Sequence, residues 1–215
     1  MSVVRPGRSP ERVVMFVDAV LAIAITLLAI ELPRPPEDSK VPFGTFLAEH
    51  GGSFFAFVLA FLMLWWIWRT HHGTFDQVKD VSPLVMTLHI PLLLAAVWMP
   101  YPTEVFGAGE AGSLATALFA GTEGVMMLSL GLISEAVVRQ GLYKEDADVP
   151  RLRVETVVNI AIGLYWVATA VLAFNLPDHS EFPVAYLWFG TPLIAYAAAR
   201  IARRAQKGVT TPADA

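Results

Sequence analysis

With 215 residues, 55% hydrophobic and 16% charged, and a mean hydropathy of +0.56, the chain carries more apolar surface than a soluble domain of its length can bury. Apolar runs longer than about 18 residues make it an all-α, multi-pass membrane protein, read as one domain over residues 1–215. The absence of cysteine excludes disulfides, thiol chemistry and thiolate metal sites, while the net charge of −4 says little about partners because the charges are sorted by loop.

The first span, residues 12–32, opens on Arg12 and runs apolar from Val13 to Leu32, about 30 Å of helix and one bilayer core. Arg5, Arg8 and Arg12 give it the basic start of a signal peptide. The run is too long for one, however, and lacks a small-residue cleavage site, so it reads as a retained helix. Asp18 interrupts it, and a charge at that depth costs on the order of 3 kcal/mol without a polar partner. Beyond Asp18 the one hydroxyl is Thr26. At about 100° per residue Ile23, Leu27 and Ile30 share a stripe with Thr26 at its edge. Composition alone favours reading that stripe as packing.

Pro33, Pro35 and Pro36 stop the first helix, and residues 37–50 read as a polar loop. The second span, 52–71, is rich in Phe and Trp and ends on Trp68, Arg69, Thr70, His71 and His72. The third, 83–101, carries Pro91, which predicts a kink, and leads through Pro102 and Thr103 into a Gly-rich loop at 104–112. The fourth, 113–138, contains Glu123 and Glu135. A charged loop, 139–153, precedes the fifth span at 154–175. A tight turn at 177–182 leads to the sixth, 183–203, and a basic tail. Residues 1–10 and 206–215 read as disordered, and no internal repeat is visible.

Six spans put both termini on one side. That side collects thirteen of the fifteen Lys and Arg residues and leaves Arg34 and Lys40 opposite. The positive-inside rule then places both termini in the cytoplasm.

Topology allows depths to be compared. Asp18 lies six residues in from Arg12, roughly 9 Å inside the cytoplasmic boundary. His89 and Asn159 reach similar depths on the third and fifth spans, and Trp68 and His71 close the second at that level. Arg12 and Asp18 point about 120° apart and cannot pair along one face. Asp18 therefore needs another helix, with His71, His72, His89, Asn159 or a Trp N–H as candidate partners. Such a network would lock the first helix in place; a gate support or proton relay is the functional counterpart. Glu123, near mid-span, reads either as a satisfied interhelical contact, eased by Gly121 and Gly124, or as a cation or proton site. Adjacent His71 and His72 cannot share a metal ion on a continuing helix, and no His at i+4 completes a site. The sequence contains no phosphate loop, nucleophile elbow or HExxH, and topology accounts for the basic loops without nucleic acid.

Arg12-x-x-x-Phe16-Val17-Asp18, followed by the Ala-Ile-Ala-Ile-Thr26-Leu27-Leu run and Ile30-Glu31-Leu32, resembles the signature of the transmembrane protein 175 family of potassium channels. Trp68-Arg-Thr-His71-His72-x-x-Phe75 and Pro100-Tyr-Pro-Thr103 are similar to further pieces of it. Val17 stands where the family has serine. The resemblance implies a homotetramer of six-helix chains with no cofactor, conducting potassium and other monovalent cations along an axis lined by the first helices. Ile23 would form the narrow constriction, Leu27 and Ile30 further apolar rings, and Thr26 a hydroxyl ring tied to ion preference. Arg12, Phe16 and Asp18 would hold the pore helix against its neighbours. By its position at the extracellular end of the span, Glu31 reads either as a charge that concentrates cations at the mouth or as a solvated helix-end charge. Without a TVGYG-like run there is no carbonyl filter, so weak selectivity and gating by dewetting are expected. A prokaryotic inner (plasma) membrane is the expected location. A proton-coupled secondary transporter using Asp18, His89 and Glu123 is the alternative, although inverted repeats and broken helices are missing. A membrane-embedded assembly protein is a third.

Overall fold

A computed structural model describes residues 9–36, 41–109, 112–176 and 184–209. These residues form helices α1 (Pro10–Ile30), α2 (Phe43–Glu49), α3 (Gly51–Phe75), α4 (Pro83–Trp98), α5 (Pro100–Ala108), α6 (Gly112–Arg139), α7 (Val149–Asn175) and α8 (Thr191–Val209), with a 3-10 turn at Val184–Gly190 before α8. No strand occurs among them; Val78 and Tyr143 make an isolated bridge. Six helical stretches, α4 and α5 counting as one, are long and apolar enough to cross a membrane.

Local chemistry explains where helices begin. Ser9, Ser82 and Asp148 each accept a hydrogen bond from a backbone N–H three residues on, at 3.4, 3.2 and 3.0 Å. Each is followed by proline in the first turn, where a missing N–H costs nothing. α6 stops at Gly141, whose φ of +62° suits glycine. Leu142 N–H then reaches Val137 O at 3.0 Å and Gly141 N–H reaches Val138 O at 3.3 Å, closing a Schellman turn. The connection after α6 is sewn to the one after α3 through Lys79 N–H to Leu142 O, 2.9 Å, and Lys144 N–H to Gln77 O, 2.8 Å.

α6 is the central element, with 67% of its apolar window buried against 17–39% for the other spans. Its contact with α7 is set by glycines. A Cβ on Gly124 would sit 2.7 Å from Val167 Cγ2, one on Gly131 2.6 Å from Ile160 Cγ1, and one on Gly163 2.8 Å from Leu128 N. Helices this close gain dispersion contacts that larger residues would forbid. Gly121, by contrast, has room, with Ala170 Cβ at 3.8 Å. Rings of Phe106, Phe119, Trp166 and Trp188 stack at 4.8–6.4 Å between centroids, joining α5, α6 and α7 to the 3-10 turn. Trp188 Nε1 donates to Thr169 Oγ1 at 3.2 Å and the Tyr165 hydroxyl donates to Leu187 O, fixing that turn on α7.

Several expected boundaries move. The third span does not end at 101: Met99 keeps right-handed helical angles, Pro100 starts α5, and helix continues to Ala108 before Gly109 at φ +72°. Most of the expected 104–112 loop is therefore helical. The 37–50 loop contains α2, the second span runs on to Phe75, and the fifth begins at Val149. The first residues of the expected sixth span form the 3-10 turn, and α8 extends to Val209. Pro10 and residues 206–209, expected to be disordered, are helical. The expected turn at 177–182, most of 1–10 and 210–215 lie outside the described residues.

Candidate permeation site

α1 packs on α3 and α4 through Val13, Val17, Leu21, Ala24 and Leu28, all buried. Steps of four, four, three and four residues keep these five on one stripe of the helix. The other side carries Phe16, Ile23 and Ile30, exposed by 62%, 59% and 59%. Arg12, Thr26 and Glu31 are exposed or half-exposed as well, and Leu27 is half-buried. The Thr26 hydroxyl donates to Ile23 O at 2.8 Å, which leaves its lone pairs directed away from the backbone. The residues expected on the stripe thus share α1's unpacked side.

Asp18 flanks the packed stripe and is half-buried. Trp68 Nε1, on α3, donates to its Oδ1 at 3.0 Å. A ring one turn further along α3, His72, lies 5.6 Å from Trp68, and its Nε2 is 4.0 Å from Asp76 Oδ1. His71 and His89 meet between α3 and α4 with their Nε2 atoms 3.1 Å apart. The His89 Nδ1 atom lies 2.7 Å from Val85 O and so must donate to it. With His89 neutral, its Nε2 accepts, and His71 donates from Nε2. His71 Nδ1 is then a lone pair without a partner. Phe75 closes the group, stacked on His71 at 4.4 Å and edge-on to His89 at 5.5 Å.

The other two polar groups lie elsewhere. Asn159 is buried against Gly131 of α6, and its Nδ2 has no hydrogen-bond partner. Glu123 is 3% exposed and lines a cavity bounded by α3, α7, the 3-10 turn and α8. The residues proposed for a proton-coupled exchanger therefore have separate surroundings. His71 and His72 point apart because α3 continues to Phe75, and no cluster of three metal-ligating side chains occurs among the described residues. Phe75 belongs to the motif that ends the second span, but its packing on the histidines and the direct His71–His89 contact were not anticipated from the sequence. The usable signal was two histidines at one depth on helices joined by a short connection.

The family model described as "Endosomal/lysosomal potassium channel TMEM175" matches residues 12–100. A potassium channel of Streptomyces collinus is 30% identical over 169 residues, covering 76% of this chain and 82% of that one. The chain belongs to the TMEM175 family. A potassium channel of a Chryseobacterium species is 31% identical over 99 residues, 46% of this chain and 50% of that one. One from Chamaesiphon minutus is 27% identical over 146 residues, 66% and 68% respectively. No solved structure gives a significant match. The TMEM175 match begins at Arg12 and takes in Asp18, Trp68, His71, His72 and His89, so it covers the α1–α3–α4 contacts described above.

Proposed function

We propose that this multi-pass membrane protein is a potassium-permeable, weakly selective cation channel, a homotetramer whose four α1 helices surround the pore. The observation that carries the reading is the two-faced packing of α1. One stripe is buried, while Phe16, Ile23 and Ile30 stand exposed on the same side as Arg12 and Thr26, with Glu31 exposed at the helix's C-cap. A stripe bearing a charge and a hydroxyl, with a second charge at the helix end, suits a water-containing axis better than lipid.

Around such an axis Ile23, Leu27 and Ile30 become stacked aliphatic rings spaced about 4–6 Å apart. Aliphatic rings pass ions only when wetted and cannot replace a hydration shell, so potassium is preferred over sodium only modestly. Thr26 supplies the oxygen ring beside the constriction, and Glu31 raises the cation concentration at the mouth. Asp18 with Trp68 holds α1 against α3, and His71 and His89, with His72 nearby, tie α3 to α4 beneath it. Arg12 and Phe16, exposed within the chain, are left on the open side; Asn159 serves the α6–α7 contact. The bias of thirteen basic residues against two orients both termini to the cytoplasm of a prokaryotic inner membrane.

Reconstitution in planar bilayers tests this reading. Ile23→Asn should raise unitary conductance, Thr26→Ala should lower the potassium-to-sodium permeability ratio, and Ile23→Cys should crosslink between chains. Unchanged current in Ile23→Asn would place the pore elsewhere. Flux driven by a pH gradient without unitary events would identify a transporter instead.

A further inference from the structure

The cavity beside Glu123 is not part of the α1 site. It measures about 670 Å³, within the range of small-molecule pockets. Its wall is aromatic, with Phe55, Trp66, Trp166, Trp188 and Phe189 among the lining residues, and Glu123 is the one ionisable group among the described residues that line it. Two buried polar atoms on this lining, Glu123 Oε2 and Thr191 Oγ1, have no hydrogen-bond partner. Three nearby donors are committed elsewhere, Trp188 Nε1 to Thr169, the Tyr165 hydroxyl to Leu187 O and the Thr122 hydroxyl to Leu118 O, and the Thr191 hydroxyl makes no bond to Glu123. A buried acceptor left in this state costs about 1–3 kcal/mol. A carboxyl among aromatic faces is also the setting that stabilises an ammonium.

We propose that this cavity binds a lipophilic amine, its apolar body against the tryptophans and its protonated nitrogen donating to the Glu123 carboxylate. The ammonium supplies the donor that Glu123 Oε2 lacks and a countercharge for the ionised carboxylate. Glu123 lies eleven residues into α6, about 16 Å along its axis, beyond the reach of a phospholipid amine held at the membrane surface. Acyl chains carry no donor. A free amine, entering the membrane uncharged, meets both conditions. The site stands independently of the pore assignment, since its readout is binding and not current.

Three of the six tryptophans line the cavity, so a brominated probe reports on it by quenching. The channel in phosphatidylcholine nanodiscs is titrated with 4-bromophenethylamine, and with 2-(4-bromophenyl)ethanol as the neutral analogue. The amine should quench saturably above the linear partition background of the alcohol. Glu123→Gln should weaken the saturable phase at least tenfold. Ala195→Phe, which fills the cavity, should abolish it while the oligomer elutes unchanged. Equal saturation by amine and alcohol, equal affinity in Glu123→Gln, or no saturable phase in the unmodified protein would each overturn the proposal.

Discussion

Replacing Trp68 by phenylalanine removes one N–H and leaves most of the ring. The lost bond is the 3.0 Å contact to Asp18 Oδ1 that ties α1 to α3. Hydrogen bonds to charged groups contribute about 1.5–3 kcal/mol, whereas hydrogen bonds between membrane helices average nearer 0.6 kcal/mol. Asp18 is half-buried and its carboxylate makes the bond charge-assisted, so a coupling of about 1–1.5 kcal/mol is expected. A double-mutant cycle isolates it, because the ring contact with His72 is lost or kept equally in both backgrounds. Trp68→Phe, Asp18→Ala and the double variant are unfolded by SDS titration from mixed micelles, and free energies are compared at one SDS fraction. Trp68→Phe should cost about 1–1.5 kcal/mol more with Asp18 present than in the Asp18→Ala background, where no carboxylate remains to accept the bond. If the cost is the same in both within about 0.3 kcal/mol, the bond does not anchor α1.

The same titration checks the remaining packing predictions. Gly163→Ala drives a methyl to 2.8 Å from Leu128 N, and since backbone cannot yield as a side chain can, a loss of about 1–3 kcal/mol is expected. Gly121→Ala, with its nearest neighbour at 3.8 Å, serves as the control and should fall within about 0.5 kcal/mol of the unmodified protein. Gly141→Ala forces a Cβ into φ +62° and should cost about 1 kcal/mol. His71→Phe leaves His89 Nε2 without its donor and should cost about 1–3 kcal/mol; adding His89→Leu should recover part of that loss, since no unpaired nitrogen remains there.

Much of this protein was legible before any tertiary structure. Six apolar stretches follow from hydropathy because a bilayer core demands about 20 apolar residues per helix. Caps are local too, yet two of them stand where no helix was expected: Ser9-Pro10 in a stretch expected to be disordered and Asp148 with Pro150 in the expected 139–153 loop, and both start helices. The end of the third span misled because Pro100 and Pro102 look like terminators, yet proline in a first turn sacrifices no hydrogen bond, so α5 simply follows α4.

For the polar groups, the sequence determined depth and the fold determined partners. Asp18, Trp68, His71 and His89 fall at one level by counting residues, but which meets which depends on the rotation of each helix about its axis. Packing decides that rotation: the buried stripe of Val13, Val17, Leu21, Ala24 and Leu28 turns Asp18 toward Trp68 and leaves Ile23 and Ile30 outside. The Glu123 cavity was unreadable for the same reason, its wall being drawn from α3, α6, α7, the 3-10 turn and α8. Hydropathy is a property of each residue and survives in one dimension. Enclosure belongs to surfaces far apart in the chain, and only their docking creates it.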